Sequence, residues 1–161
     1  MAQKDVGNKV PIYKLKTTKE VMDYYDDWGE NDKYNKDMVD WNYTGPKETV
    51  NIFIKYEKNK DALIFDAGCG TGLVGLELKK FGFKNFHGAD LSQKLLSTIP
   101  SDLYKKLLKT DLNEPINLKE FSLKDNYFVF SGIGNHQTFV SMLKKHGLNI
   151  LKDKLVSFLS A

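Results

Sequence analysis

Strands that alternate with helices along one chain predict an α/β fold, a doubly wound and mostly parallel sheet with helices on both faces. Three observations carry this reading. Ala62–Phe65 is a short apolar run that meets Asp66, a turn containing Gly68, Gly70 and Gly72, and then an apolar helical pattern. A buried parallel strand that feeds a tight loop and a helix has this form. Further strand-like runs follow at intervals, separated by helical patterns, and no repeat, low-complexity segment or linker divides the 161 residues. That length suits one domain with its own core.

Residues 1–16 are polar, without a strong period, and are expected to form a mobile arm. Residues 17–60 read as a helical leader. Thr17 and Glu20 can form a capping box at the start of its first helix, and Val21, Met22 and Tyr25 begin one face. Tyr24, Tyr25, Trp28, Tyr34, Trp41 and Tyr43 then crowd a polar stretch, and Pro46 suits the first turn of another helix faced by Val50, Phe53 and Ile54.

Residues 61–161 read as the sheet and its helices. After the glycine turn, Leu73, Val74, Leu76 and Leu78 give a helix with Gly82 as its C-cap. Asn85–Asp90 reads as a second strand, Ser92 caps a short helix that Pro100 stops, and Tyr104–Leu112 reads as a third strand with a helical alternative. Tyr127–Ser131 is a fourth strand. Phe139, Met142 and Leu143 fit a helix closed by Gly147, and Leu148–Leu151 is a fifth strand.

In such sheets ligands lie at the carboxyl ends of the strands. Asp66 and the glycine loop end the first strand, Asp90 the second, Asp111-Leu112 the third, and Ser131 the fourth, with Gly132 to His136 beyond. The loop glycines let backbone approach a ligand without an intervening Cβ, and the helix beyond favours polar or anionic groups. A carboxylate at Asp90 can accept both hydroxyls of a ribose. An acid at Asp111 can accept from an exocyclic amine while the next backbone N–H donates to a ring nitrogen. Each acid also has an ordinary role as a loop or capping residue. Cys69, inside the loop, reads more simply as a space-filler than as a nucleophile. The spacing is G-x-G-x-G, and Leu73 stands where the dinucleotide fingerprint needs its third glycine, which disfavours a nicotinamide oxidoreductase.

Here the chain resembles the class I S-adenosylmethionine (SAM)-dependent methyltransferases, whose first motif, acid-x-G-x-G-x-G, is matched by Asp66, Gly68, Gly70 and Gly72. The resemblance implies a Rossmann-like core. It implies that the loop Asp66–Gly72, with Cys69 and Thr71, holds the methionine part of SAM. It also implies that Asp90 binds the ribose, Leu91 packs on the adenine, and Asp111 with Leu112 meets its edge. Ser131 to His136 would face the methyl group and the acceptor. A narrower likeness joins Tyr25-Asp26-Asp27-Trp28, Tyr34-Asn35, Tyr43-x-Gly45-Pro46 and the Ser131–His136 phrase to small methyltransferases of the Williams–Beuren syndrome region type. In that group the leader folds over the cofactor, which would put Tyr34 against SAM.

The expected function is methyl transfer from SAM to a small-molecule acceptor, with S-adenosylhomocysteine (SAH) as the product and no metal. Methyl transfer needs alignment and exclusion of water, and a base only for some acceptors. His136 is the candidate base, although a structural hydrogen bond at a helix start explains it as well. No N/D-P-P-Y/F motif follows the fourth strand, which argues against amino-methylation of adenine or glutamine. Sheets of this class usually continue past strand five, whereas only a short segment follows Leu151 here. The C-terminal strands therefore read as reduced. The alternative function is SAM or SAH binding without efficient catalysis, and an exposed sheet edge would invite a second copy of the chain.

Composition narrows the partners. A net charge of +3 with scattered lysines and no arginine-rich patch does not indicate a nucleic-acid binder. No apolar run approaches the length of a membrane span and the start lacks a signal-peptide core, so a cytoplasmic location is expected. The single cysteine, Cys69, allows no intrachain disulfide.

Overall fold

The computed structural model describes residues 14–112, 114, 126–131, 136–145 and 147–155. Helices α1 (Thr18–Trp28), α2 (Lys33–Asp40) and α3 (Gly45–Tyr56) precede β1 (Leu63–Ala67). Then come α4 (Leu73–Lys80), β2 (Phe86–Asp90), α5 (Gln93–Thr98), β3 (Lys106–Lys109), β4 (Asn126–Ser131), α6 (His136–Lys145) and β5 (Asn149–Leu155). The strands form one sheet in the order β3-β2-β1-β4-β5, and every neighbouring pair is parallel. The order reverses between β1 and β4, so the switch point lies beside the glycine loop, where doubly wound sheets hold ligands.

Both faces of β1 are buried, which is why its sequence is apolar on both faces but for Asp66 near its end. Ile64 joins Val50, Phe53, Leu78, Phe83 and Phe86 on the face covered by α3, α4 and α5. Phe65 joins Tyr127, Val129, Val140 and Leu143 on the face covered by α6. Burial of such side chains contributes about 1.5–3 kcal/mol each, so this central strand anchors both layers.

Local signals act as their chemistry requires. Glu20 N–H donates to Thr17 Oγ1 at 3.2 Å. Thr17 N–H donates to the Glu20 carboxylate at 2.9 Å, so the capping box is formed. Leu95 N–H donates to Ser92 Oγ at 3.1 Å, capping α5.

Three elements differ from their sequence outlines. The leader contains an additional helix, α2, entered through Asn31 and Asp32 at φ 53° and 59°, left-handed positions that Asn and Asp tolerate. β3 is confined to Lys106–Lys109, because Tyr104 turns under α4 instead of pairing. β5 runs on to Leu155, where Lys154 and Leu155 pair with Phe130 and Ser131. The segments 1–13 and 156–161, including most of the expected N-terminal arm, lie outside the described residues.

Candidate functional site

The loop from Gly68 to Gly72 crosses the carboxyl edge of the sheet. Gly68 N–H and Cys69 N–H both donate to the Ala89 carbonyl, at 2.8 and 3.0 Å, which fixes the loop to the end of β2. Gly68 (φ 78°) and Gly70 (φ 52°) adopt left-handed conformations, which other residues seldom take. A Cβ on either would meet open space. Bare backbone therefore faces a free volume. Gly72 is different: at φ 81° its Cβ would lie 3.2 Å from Tyr104 and 3.3 Å from Leu103. It serves close packing beneath α4.

Asp90 ends β2 and ties the loop together. Its Oδ2 accepts from Gly70 N–H at 2.8 Å and its Oδ1 from Ser92 N–H at 2.9 Å. Each carboxylate oxygen has a further lone pair, so hydroxyl donors can still be accepted. Burial raises its pKa, opposed by these backbone donors. Asp66 lies deeper, 4% exposed, and accepts from the Tyr104 hydroxyl at 2.6 Å. Burial pushes its carboxyl up to about 7, with the Tyr104 hydrogen bond acting against the rise and the Asp90 charge adding to it.

The leader meets the loops after β1, β2 and β3 in turn. Thr71 Oγ1, in the loop after β1, donates to Asn35 Oδ1 at 2.7 Å. Ser92 Oγ, after β2, donates to Asp26 Oδ1. Thr18 Oγ1 donates to Asp111 Oδ2, after β3, at 3.1 Å. Behind these contacts the aromatic residues pack together, as their large apolar rings favour. Trp28 lies 4.9 Å from Tyr34 and 5.6 Å from Trp41 between ring centroids. Its indole N–H donates to Asp37 at 2.7 Å. Tyr34 is half-buried. Burial raises its pKa, with Tyr25, Tyr43 and the Asp90 charge adding to the rise, so the ring lies near Asp90.

The structure thus gathers Asp66, Gly68, Cys69, Gly70, Thr71, Gly72 and Asp90 at one edge, with Leu91 next in the chain to Asp90 and Tyr34 near it, whereas Asp111, after β3, is bonded to Thr18 and Leu112 packs on the Phe65 side of the core. Ser131 pairs with Ala67, level with the start of the loop. His136 opens α6, but its side chain and residues 132–135 lie outside the described residues. Burial raises the Cys69 thiol well above its ordinary range, and its sulfur packs against Gly88, as a space-filler would. Among the described residues no group of three or more His, Cys, Asp or Glu could hold a metal, and no helix is long and apolar enough to cross a membrane.

Sequence reasoning missed Tyr104. Two signals pointed to it: Gly75 inside a helix and Gly88 inside a strand, each unfavourable there unless something must approach closely. A Cβ at Gly75 would lie 2.5 Å from the Tyr104 oxygen, and one at Gly88 would lie 3.0 Å from its ring.

This fold is the class I methyltransferase fold. The structure aligns with magnesium protoporphyrin IX methyltransferase from Synechocystis PCC 6803, solved with bound SAH, at a TM-score of 0.56 and 17% identity. That alignment covers 84% of this chain and 71% of the other. It also aligns with the plantazolicin methyltransferase BpumL in complex with SAH, at 0.50 and 15% identity, over 90% and 58% of the two chains. No family model matches.

Curated relatives fall into two kinds. The human methyltransferase-like protein 27 is 34% identical over 89 residues, 53% of this chain and 36% of that protein. The tetraacyldisaccharide 4'-kinase of Pelagibacter ubique is 59% identical over 39 residues, 24% of this chain and 12% of the kinase. The Rickettsia canadensis kinase of the same description is 37% identical over 83 residues, 48% of this chain and 25% of the kinase. The chain therefore spans about a third or less of the curated relatives it matches.

Proposed function

We propose that this chain binds SAM and transfers its methyl group to a small-molecule acceptor. The observation that carries the reading is the arrangement at the switch point. Two open left-handed glycines, Gly68 and Gly70, stand beside a half-buried acid, Asp90, that is already hydrogen-bonded to their loop. The likeness to two methyltransferases solved with SAH, and to methyltransferase-like protein 27, supports the same cofactor.

When bound, SAM supplies an activated methyl group on a sulfonium. The chain's own residues bind, align and shield. Asp90 accepts the ribose hydroxyls, the Asp66–Gly72 loop takes the amino-acid end, Leu91 lies against the base, and Asp111 with Leu112 meets its polar edge. The leader, through Tyr34 and its aromatic neighbours, closes over the site and excludes water. His136 accepts a proton where the acceptor must lose one; otherwise alignment is sufficient. The near-balance of charge favours a small acceptor over a nucleic acid.

A second reading comes from the 59% identity to a segment of tetraacyldisaccharide 4'-kinase, namely that part of this chain has a kinase ancestry. The match covers 12% of that kinase. The phosphate-cradling pattern G-x-x-x-x-G-K-[S/T] occurs nowhere in the sequence. Isothermal titration separates the readings. SAH is expected to bind at a single site, and NAD and magnesium-ATP to give no binding heat. Binding of ATP without SAH would overturn the methyltransferase reading.

A further inference from the structure

Tyr104 stands outside the β3 ladder with its ring tilted 55° against Phe86 at 5.7 Å between centroids. Its hydroxyl donates to Asp66 Oδ2 at 2.6 Å. Gly75, in the first turn of α4, lies against the same oxygen. The surroundings are shaped for the contact, since a side chain at Gly75 would occupy the hydroxyl's place.

We propose that Tyr104 is a positioning residue whose hydroxyl, seated closely against Gly75, holds the buried Asp66 carboxylate ready for the ammonium group at the amino-acid end of the ligand. This rests on the reading of the loop as a SAM site. Burying a carboxylate without partners is costly, and a directed donor offsets part of that cost. A ligand cation offsets more, so binding ionises Asp66 and releases a proton when the free protein holds one. The titratable groups facing Asp66 are Tyr104 from the approach to β3, Cys69 from the loop, and Asp90 from the end of β2. Burial keeps the phenol and the thiol neutral at ordinary pH, which leaves Asp90 as the second acid to be controlled for.

The test is SAH affinity by isothermal titration from pH 5 to 9, in buffers of differing ionisation enthalpy. Affinity of the unmodified protein is expected to rise with pH to an inflection near 7, with proton release below it. Tyr104→Phe should move the inflection upward by about one unit, because a lost donor to a charged group is worth roughly that much. Asp66→Asn should abolish it while leaving any step due to Asp90. The Asp66 carboxyl carbon, followed by NMR without ligand, should show the same upward move in Tyr104→Phe. An unchanged inflection in folded Tyr104→Phe overturns the role of Tyr104 and leaves the SAM reading standing. Absence of SAH binding at every pH overturns both. If Tyr104→Phe does not fold, 3-fluorotyrosine in place of Tyr104 keeps the shape with a stronger donor. The inflection should then move down, and no movement overturns the proposal.

Discussion

Asp66 makes folding itself sensitive to pH. In the unfolded chain such a carboxyl titrates near 3.8, and in the fold at about 7. Between these values the folded protein retains a proton that the unfolded chain has released. Its contribution is therefore complete below pH about 4 and is lost as pH rises through about 7. Urea midpoints at pH 5 and pH 8 measure this, with a slope of up to about 1.4 kcal/mol per pH unit from this group. Asp66→Asn keeps an acceptor for Tyr104 and should flatten that part of the profile. Asp90 holds the loop, and under the proposed function it also accepts the ligand's ribose hydroxyls. Asp90→Ala leaves Gly70 N–H without its partner and removes the ribose acceptor, so SAH affinity should fall by about 1–3 kcal/mol. Full affinity in that variant, by calorimetry, would remove Asp90 from the site. Both acids were legible in the sequence because strand-end position and glycine spacing are local patterns. Tyr104 was not, because its partners Asp66 and Gly75 belong to β1 and α4, and contact between separate elements leaves no period in the chain.

Within the leader, α1 and α2 share one task, holding the loops at the sheet edge, while α3 packs on the core. α1 reaches the loops after β2 and β3 through Asp26 and Thr18, and α2 reaches the loop after β1 through Asn35. These are exposed or half-buried contacts, individually worth about 1 kcal/mol or less, so the leader should open far more often than the sheet. Hydrogen exchange is expected to show weak protection over residues 18–41 in the free protein and a marked slowing with SAH. Protection that does not change on adding ligand would exclude a closing lid. The capping box of α1 was legible because it is written in four consecutive residues. α2 was not, since its entry passes through two left-handed residues that interrupt any helical period. The ends of β3 and β5 were misjudged for a related reason. Apolar runs mark burial, whereas strand limits follow from pairing, and β5 pairs through Lys152, Asp153 and Lys154.

For the molecule as a whole, the strand order was predictable only as a class: alternation gives a parallel sheet, and the position of each strand within it depends on contacts made late in the sequence. β1 takes β2 as one neighbour, from residues that follow soon after it, and β4 as the other, with Leu63 opposite Tyr127. During synthesis the first three strands leave the ribosome well before the fourth. Until then one backbone edge of β1 and the apolar face carrying Phe65 have no cover, and an open edge of that kind recruits other chains. A chain ended at Leu112 is accordingly expected to self-associate, as light scattering would show, whereas a soluble monomer would mean that the part up to β3 closes by itself. The central place of β1 thus makes the timing of the chain's birth a hazard. Rapid elongation is accordingly expected to favour correct folding, by covering the middle strand before other chains can reach it.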